Sequence, residues 1–81
     1  MMDAELVMQK IEGVVRDELD DDAITLAPWM AAKDVDGWDS LANVRIMVGI
    51  ERAFKVRFNT VDITKAKNIE VLVAMVQAAL A

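Results

Sequence analysis

The chain is 81 residues long, with 56% hydrophobic residues, 28% charged residues and a formal net charge of −5. This length suits one small domain covering residues 1–81, and the apolar content excludes a disordered chain. Cysteine and histidine are both absent, which removes thiol catalysis, the commonest general base and the commonest metal ligands. We therefore predict a protein that is not an enzyme and that acts through partners.

The charge and hydropathy patterns also narrow the partners. The chain has 9 basic against 14 acidic residues, which argues against nucleic acid because few bases are available to neutralise phosphates. No apolar run approaches the roughly 20 residues of a membrane span, and the N-terminal sequence lacks the positive charge of a signal peptide. Since cysteine is also absent, we expect a cytoplasmic protein. We also expect it to be a monomer.

The first predicted element is a helix from Asp3 to Leu19. Its apolar residues recur at three- and four-residue spacing, as in a helix with one buried face. They are Ala4, Val7, Met8, Ile11, Val14, Val15 and Leu19. The acids at 20–22 end this helix, because short acids compete for its backbone and lie unfavourably at its negative end.

The segment 23–39 lacks sustained periodicity and is predicted to be a long loop. It contains Pro28, Gly37 and both tryptophans, Trp29 and Trp38. A loop of this length in a small domain is commonly functional. The two aromatic side chains predict that this loop is pinned to the core.

Three further helices are predicted after the loop. The second helix begins at Ser40, with Asp39 or Ser40 as its N-cap, and continues to about Lys55. A short helix capped by Asn59 or Thr60 reaches about Ala66. A last helix, capped by Asn68, has its apolar stripe at Ile69, Leu72, Val73, Val76 and Leu80. The predicted fold is all-α, a small four-helix bundle of three longer helices and one short helix, with a long first loop.

The helix that begins at Ser40 carries two apolar stripes where a surface helix needs only one. At about 100° per residue, one side holds Ile46, Met47, Ile50 and Phe54. The opposite side holds Leu41, Val44 and Val48, flanked by Arg45, Glu51 and Arg52. Burying both arginines without partners would be costly. We therefore predict that the second stripe is exposed and docks a partner protein.

Ser40 has three possible roles. An N-cap is the simplest. A nucleophile is disfavoured, because no histidine exists to activate the hydroxyl and no lysine lies close in sequence. Modification by another enzyme is the third, since an exposed hydroxyl at the first turn of a helix suits a phosphodiester near the positive end of the helix dipole.

These residues resemble a known family. The segment Gly37-Trp38-Asp39-Ser40-Leu41, after a long loop and before a helix that ends Ile50-Glu51-Arg52-Ala53-Phe54, is similar to that of the acyl carrier proteins. The resemblance is to the stand-alone bacterial members and covers nearly the whole chain. It implies that Ser40 carries 4′-phosphopantetheine, attached from coenzyme A by a phosphopantetheinyl transferase.

The resemblance also implies roles for the neighbouring residues. Asp39 and Leu41 match positions that the transferase recognises. Partner docking falls on the second stripe and its charged flanks, which are Leu41, Val44, Arg45, Val48, Glu51 and Arg52. An acyl pocket inside the bundle would be lined by Met47, Ile50 and Phe54, for which ordinary core packing is at least as good an explanation. The implied partners are an acyl-loading ligase or transferase and downstream synthases.

One departure from the family pattern bears on the pathway. Members that serve fatty acid synthesis usually carry several acids on this helix, whereas Ala42 and Arg45 stand at two of those positions here. Because like charges disfavour wrong partners, the sequence predicts a dedicated biosynthetic pathway rather than housekeeping fatty acid synthesis. Two alternatives are an aminoacyl or peptidyl carrier protein, and a helical adaptor in which Ser40 is merely a cap.

Overall fold

The computed structural model describes residues 2–59 and 66–81, which form three α-helices and no strand. The helices are α1, Ala4–Leu19; α2, Ser40–Phe54; and α3, Ile69–Leu80. A single 3₁₀ turn, Ala32–Asp34, lies in the connection between α1 and α2. The all-α prediction is confirmed. The predicted short helix between Asn59 and Ala66 falls on residues 60–65, outside the described residues.

Helices α2 and α3 begin at the predicted residues and α1 begins one residue after its predicted start, because capping is a local interaction. The residue before each helix has extended backbone angles, and its side chain accepts a hydrogen bond from an amide in the first turn. The pairs are Asp3 with Leu6 (2.9 Å), Asp39 with Ala42 (2.8 Å) and Asn68 with Val71 (2.9 Å). At the other end of α1, Asp20 has a φ of 51° and its amide turns back to carbonyls of the last turn.

The core lies where α1 packs against α2 and α3. Its helical members come from one face of each helix, as the periodicity predicts. They are Val7, Ile11, Val15, Ala42, Ile46, Met47, Ile50, Phe54, Ile69, Leu72, Val73 and Val76. Of the other predicted stripe residues, Ala4 is exposed, whereas Met8, Val14, Leu19 and Leu80 are half-buried at the edge of the core.

Helices α1 and α2 approach each other closely at Gly49. A Cβ atom at this position would lie 2.7 Å from Val14 Cγ1, which is closer than carbon atoms pack. The glycine therefore permits the contact between the two helices. Gly13, on α1, has open space around it and no comparable role.

The start of the long loop is fastened to α1. The Leu26 amide donates a hydrogen bond of 2.9 Å to Glu12 Oε2, and Arg16 Nε donates one of 2.7 Å to the Ile24 carbonyl. Glu12 and Arg16 also form an ion pair of 3.0 Å. Glu12 and Arg16 together hold the start of the loop against α1, and the chain then continues toward α3.

The middle of the loop is fastened to α3. The first amides of α3, at Ile69 and Glu70, donate to the carbonyls of Met30 (2.8 Å) and Pro28 (2.9 Å). Between these two residues, Trp29 is turned outward and is 70% exposed. The prediction that both tryptophans pin the loop is therefore wrong for Trp29, because backbone hydrogen bonds do that work there. It is confirmed for Trp38, which is 9% exposed.

No helix within residues 2–59 and 66–81 has the length and the apolarity needed to cross a bilayer.

Candidate functional site

Ser40 is the first residue of α2, and its side chain is exposed. The N-cap role belongs to Asp39, whose Oδ1 accepts from the Ala42 amide. Of the two N-cap candidates, the structure selects Asp39. Within the described residues, the Ser40 hydroxyl has no hydrogen-bond partner, so it does not cap the helix.

The backbone around Ser40 offers two free donors. The first amides of a helix lack partners inside that helix. Asp39 takes up the amides of Ala42, through its side chain, and of Asn43, through its carbonyl at 2.8 Å. In the part of the chain that the structure describes, the amides of Ser40 and Leu41 remain without a partner. These amides and the positive end of the helix dipole suit an anion on the Ser40 oxygen, and a phosphate ester fits there.

Trp38 fixes the approach of the chain to Ser40. Its indole Nε1 donates a hydrogen bond of 2.9 Å to Asn43 Oδ1, one turn into α2. Its own amide donates to the Val35 carbonyl at 3.2 Å, and Gly37 before it has a φ of 87°. Such a φ favours glycine, so the turn is encoded at this position. The buried indole and the turn together hold Ser40 at a fixed point on the surface.

A small cavity lies directly inside this turn. It measures about 30 Å³ and is bounded by Trp38, Asn43 and Met47 of the first two turns of α2 and its approach, with α3 and the loop on its far side. This volume holds little more than a water molecule. Of the three residues predicted to line an acyl pocket, Met47 lines this cavity. Ile50 and Phe54 are also buried in the core but do not line it.

The second apolar stripe of α2 is exposed. Leu41 is 76% exposed, Val44 61% and Val48 39%. These three residues are called the outer stripe below. Side chains of this size are usually buried, and these three share one helix face as an exposed apolar strip, a composition that resembles the centre of a protein interface.

The charged flanks of the outer stripe differ in their surroundings. Arg45 is exposed and lies 3.8 Å from Glu18 of α1, the longer of the two ion pairs in the described residues. Arg52 is exposed as well. Glu51 is half-buried, and its Oε2 accepts a hydrogen bond of 2.8 Å from the Phe58 amide. Glu51 therefore fastens the turn after α2 in addition to any contact with a partner.

The structure corrects the interpretation of Ala42. This residue is 1% exposed and packs in the core. A carboxylate at this position would be buried, at a large cost in free energy. Ala42 is therefore not a docking position that has lost its acid, and the unusual charge on the outer face rests on Arg45 and Arg52.

Two features of the site were missed by the sequence analysis. The hydrogen bond between Trp38 and Asn43 joins residues five positions apart, a spacing that no helix or strand pattern singles out. The exposed bases Lys55 and Arg57 follow α2 and lie beside Val48. Their signal was the net positive charge of residues 40–81, six bases against three acids.

Comparison with known proteins bears on the family. No protein-family model matches the chain, and no curated protein matches it. The chain is similar to a solved structure, the solution NMR structure of the holo acyl carrier protein from Geobacter metallireducens. The two share 31% sequence identity and superpose with a TM-score of 0.84, over 91% of this chain and 85% of that one. The all-helical fold agrees with the resemblance in the sequence. The chain belongs to the acyl carrier protein family, whose fold is that of a carrier protein.

Proposed function

We propose that the protein holds acyl intermediates as thioesters on a 4′-phosphopantetheine arm attached to Ser40, and presents them to partner enzymes. The observation that carries the proposal is the Ser40 hydroxyl, which is exposed at the start of α2 and is not used for capping. A similar structure is that of a holo acyl carrier protein, and this supports an arm on the present chain.

The surroundings of Ser40 support attachment by a separate enzyme. The chain has no histidine and no lysine close to Ser40 in sequence, and the Asp39 carboxylate already accepts the Ala42 amide, so we propose that a phosphopantetheinyl transferase supplies the base. In that transfer the serine oxygen bonds to the phosphorus of coenzyme A that bears the pantetheine, and the nucleotide part leaves. The amides of Ser40 and Leu41 then stabilise the resulting negative phosphodiester.

Asp39 and Leu41 are proposed as the positions that the transferase recognises. Both are exposed and lie on either side of Ser40. Asp39 also holds the first turn in shape by accepting the Ala42 amide. A change at Asp39 is therefore expected to affect both recognition and the start of α2.

The proposal includes a dedicated biosynthetic pathway, fatty acid or polyketide in its chemistry, rather than housekeeping fatty acid synthesis. Arg45 is exposed beside the outer stripe at a position where the resemblance leads us to expect an acid, and Arg52 adds a second exposed base beside the same stripe. Exposed charges of the wrong sign disfavour docking against a basic patch. The outer stripe and its flanks then select loading and downstream enzymes of a different surface charge.

The test of the proposal is intact mass after incubation with a broad-specificity phosphopantetheinyl transferase and coenzyme A. Ser40 is the single serine of the sequence, so we expect one added phosphopantetheine on the native chain and none on Ser40→Ala. Thr25→Ala, which removes another exposed hydroxyl, serves as the matched control and should be modified fully. Far-UV circular dichroism of both variants should remain helical.

Three results would separate the candidates. An unmodified native chain would favour the helical adaptor, and mass added to Ser40→Ala would contradict the assigned site. If the arm is added, loading with acyl or aminoacyl groups by candidate ligases distinguishes the acyl carrier from the aminoacyl or peptidyl carrier. Preferential loading with an amino acid would overturn the acyl assignment and leave the arm on Ser40 intact.

A further inference from the structure

Three exposed bases surround a depression at the end of α2. The depression has a volume of about 370 Å³. Its lining consists of Val48, Glu51, Arg52, Lys55, Val56 and Arg57. Within the described residues, none of the three bases has an ion pair, since the pairs found there involve Arg16 and Arg45. The acid of the lining, Glu51, is already hydrogen-bonded to the Phe58 amide.

This arrangement of bases contributes little to the stability of the folded chain. Bases are favourable at the negative C-terminal end of a helix, which accounts for Arg52 in the last turn. Lys55 and Arg57 lie beyond the helix, where the dipole effect falls off, and they repel Arg52 and each other. The clustering of three unpaired bases is therefore better explained by a partner with negative charge.

The basic cluster is continuous with the outer stripe. Val48 belongs to both, because it is the last residue of the stripe and lines the depression. An apolar centre with a charged rim is the usual composition of a protein interface. The cluster therefore extends the outer stripe by a rim of positive charge at the end farther along the helix from Ser40.

The residues at the other end of α2 have the opposite sign. The exposed charged residues just before and at the start of α2 are Asp34, Asp36 and Asp39, and no base lies among residues 34–44. The charge along the chain thus changes from acidic before Ser40 to mainly basic between Arg45 and Arg57. Complementary charge contributes to the register of a complex as well as to the choice of partner, so this order of charges favours one direction of docking.

We propose that the partner enzymes of this carrier dock through a patch of carboxylates around an apolar centre. The carboxylates face Arg52, Lys55 and Arg57, and the apolar centre covers the outer stripe. This polarity is the reverse of a carrier helix that is acidic along its length. The proposal rests on the proposed function, because it assumes that docking serves delivery of a group carried on Ser40.

The experiment titrates the isotope-labelled carrier with two synthetic helical peptides and follows backbone amide signals by NMR. Both peptides carry the same leucine stripe, flanked by glutamates in one and by lysines in the other. We expect the glutamate peptide to shift the amides of residues 44–57. Its binding should weaken as salt rises from about 0.05 M to about 0.3 M, because exposed charges are screened. The lysine peptide should leave residues 48–57 unshifted.

Two double variants provide the matched comparison. Lys55→Glu/Arg57→Glu should weaken binding of the glutamate peptide by about tenfold or more, the size of effect that close charge pairs produce. Lys33→Glu/Lys67→Glu makes the same change of net charge at two other exposed bases and should change it by less than about twofold if the cluster is specific. Equal weakening in both variants, or equal binding of both peptides at residues 48–57, would overturn the proposal.

Two measurements on the same samples distinguish failure of this inference from failure of the proposed function. Intact mass after treatment with transferase and coenzyme A reports on Ser40 alone. Modification of Ser40 without selectivity between the peptides would reject the acidic partner and retain the carrier. Selective binding of the glutamate peptide by a chain that is never modified would reject the arm and retain the acidic partner.

Discussion

The two faces of α2 both carry apolar residues but have different roles. On the inner face, Ile46 and Ile50 are fully buried in the core. On the outer face, Val44 is 61% exposed and Leu41 even more so. Apolar area removed from water stabilises the fold, whereas apolar area left in water is available to stabilise a complex. In this helix, stability and partner binding are thus encoded on opposite faces and can be changed separately.

The largest expected effect tests this separation directly. Ile46→Ala should lower the free energy of unfolding by about 2–5 kcal/mol, because it leaves a cavity in a packed core. Val44→Ala, the matched change on the outer face, should lower it by less than about 0.5 kcal/mol. Denaturant unfolding monitored by circular dichroism measures both.

The separation of the two faces also predicts a functional effect of the outer-face variant. Val44→Ala should weaken transfer of cargo to or from a partner enzyme, since it removes apolar area from the outer stripe. A large loss of stability in Val44→Ala would show that the outer stripe is part of the core, and the two faces would then not be separable.

A smaller effect sharpens the comparison where α2 begins. Trp38→Phe keeps an aromatic ring but removes the N–H that donates to Asn43 Oδ1. Since this hydrogen bond is partly buried, its loss should cost about 1–3 kcal/mol. Trp29→Phe, at the exposed tryptophan, should change stability by less than about 0.5 kcal/mol. Thermal or denaturant unfolding of the two variants provides the comparison.

A specific result would contradict this prediction. Equal and small costs for the two tryptophans would mean that the Trp38–Asn43 hydrogen bond does not hold the approach to Ser40. In that event the fixed position of Ser40 would depend on the Gly37 turn and the Asp39 cap alone.

The smallest expected effect concerns the two helical glycines, and it tests the edge between the faces of α2. Gly13→Ala should raise the free energy of unfolding by about 0.5–1 kcal/mol, because alanine is the better helix former and open space surrounds the site. At Gly49 the same change brings a Cβ atom to 2.7 Å from the stiff, branched Val14 side chain. We expect Gly49→Ala to lose that gain and to lower the melting temperature.

A Gly49→Ala variant as stable as Gly13→Ala would indicate that α1 and α2 can move apart without cost. The close contact between them would then not fix the rotation of α2 about its axis. Another contact would have to determine which face of α2 is exposed to solvent.

Much of the fold follows from local rules that a sequence displays. The caps Asp39 and Asn68 act within one helical turn, so residue type and position suffice to find them. The two stripes of α2 follow from helical periodicity, and the charged residues between them indicate which stripe stays in water. The same local signals place Ser40 at the start of a helix in the middle of the chain.

What the sequence could not determine depends on contacts between distant segments. Ala42 lies one turn before Ile46 on the inner face, but only the packing of the helices shows that it is almost fully covered, at 1% exposed. Trp29 and Trp38 look alike in the sequence, yet the hydrogen bonds from the first amides of α3 to the loop carbonyls turn Trp29 outward. The grouping of Lys55 and Arg57 beside Val48 likewise exists only once the turn after α2 folds back. The sequence determined where helices begin and which faces are apolar, because these depend on neighbours within a few residues. Tertiary structure decided which side chains meet across the chain, because that depends on how whole helices pack.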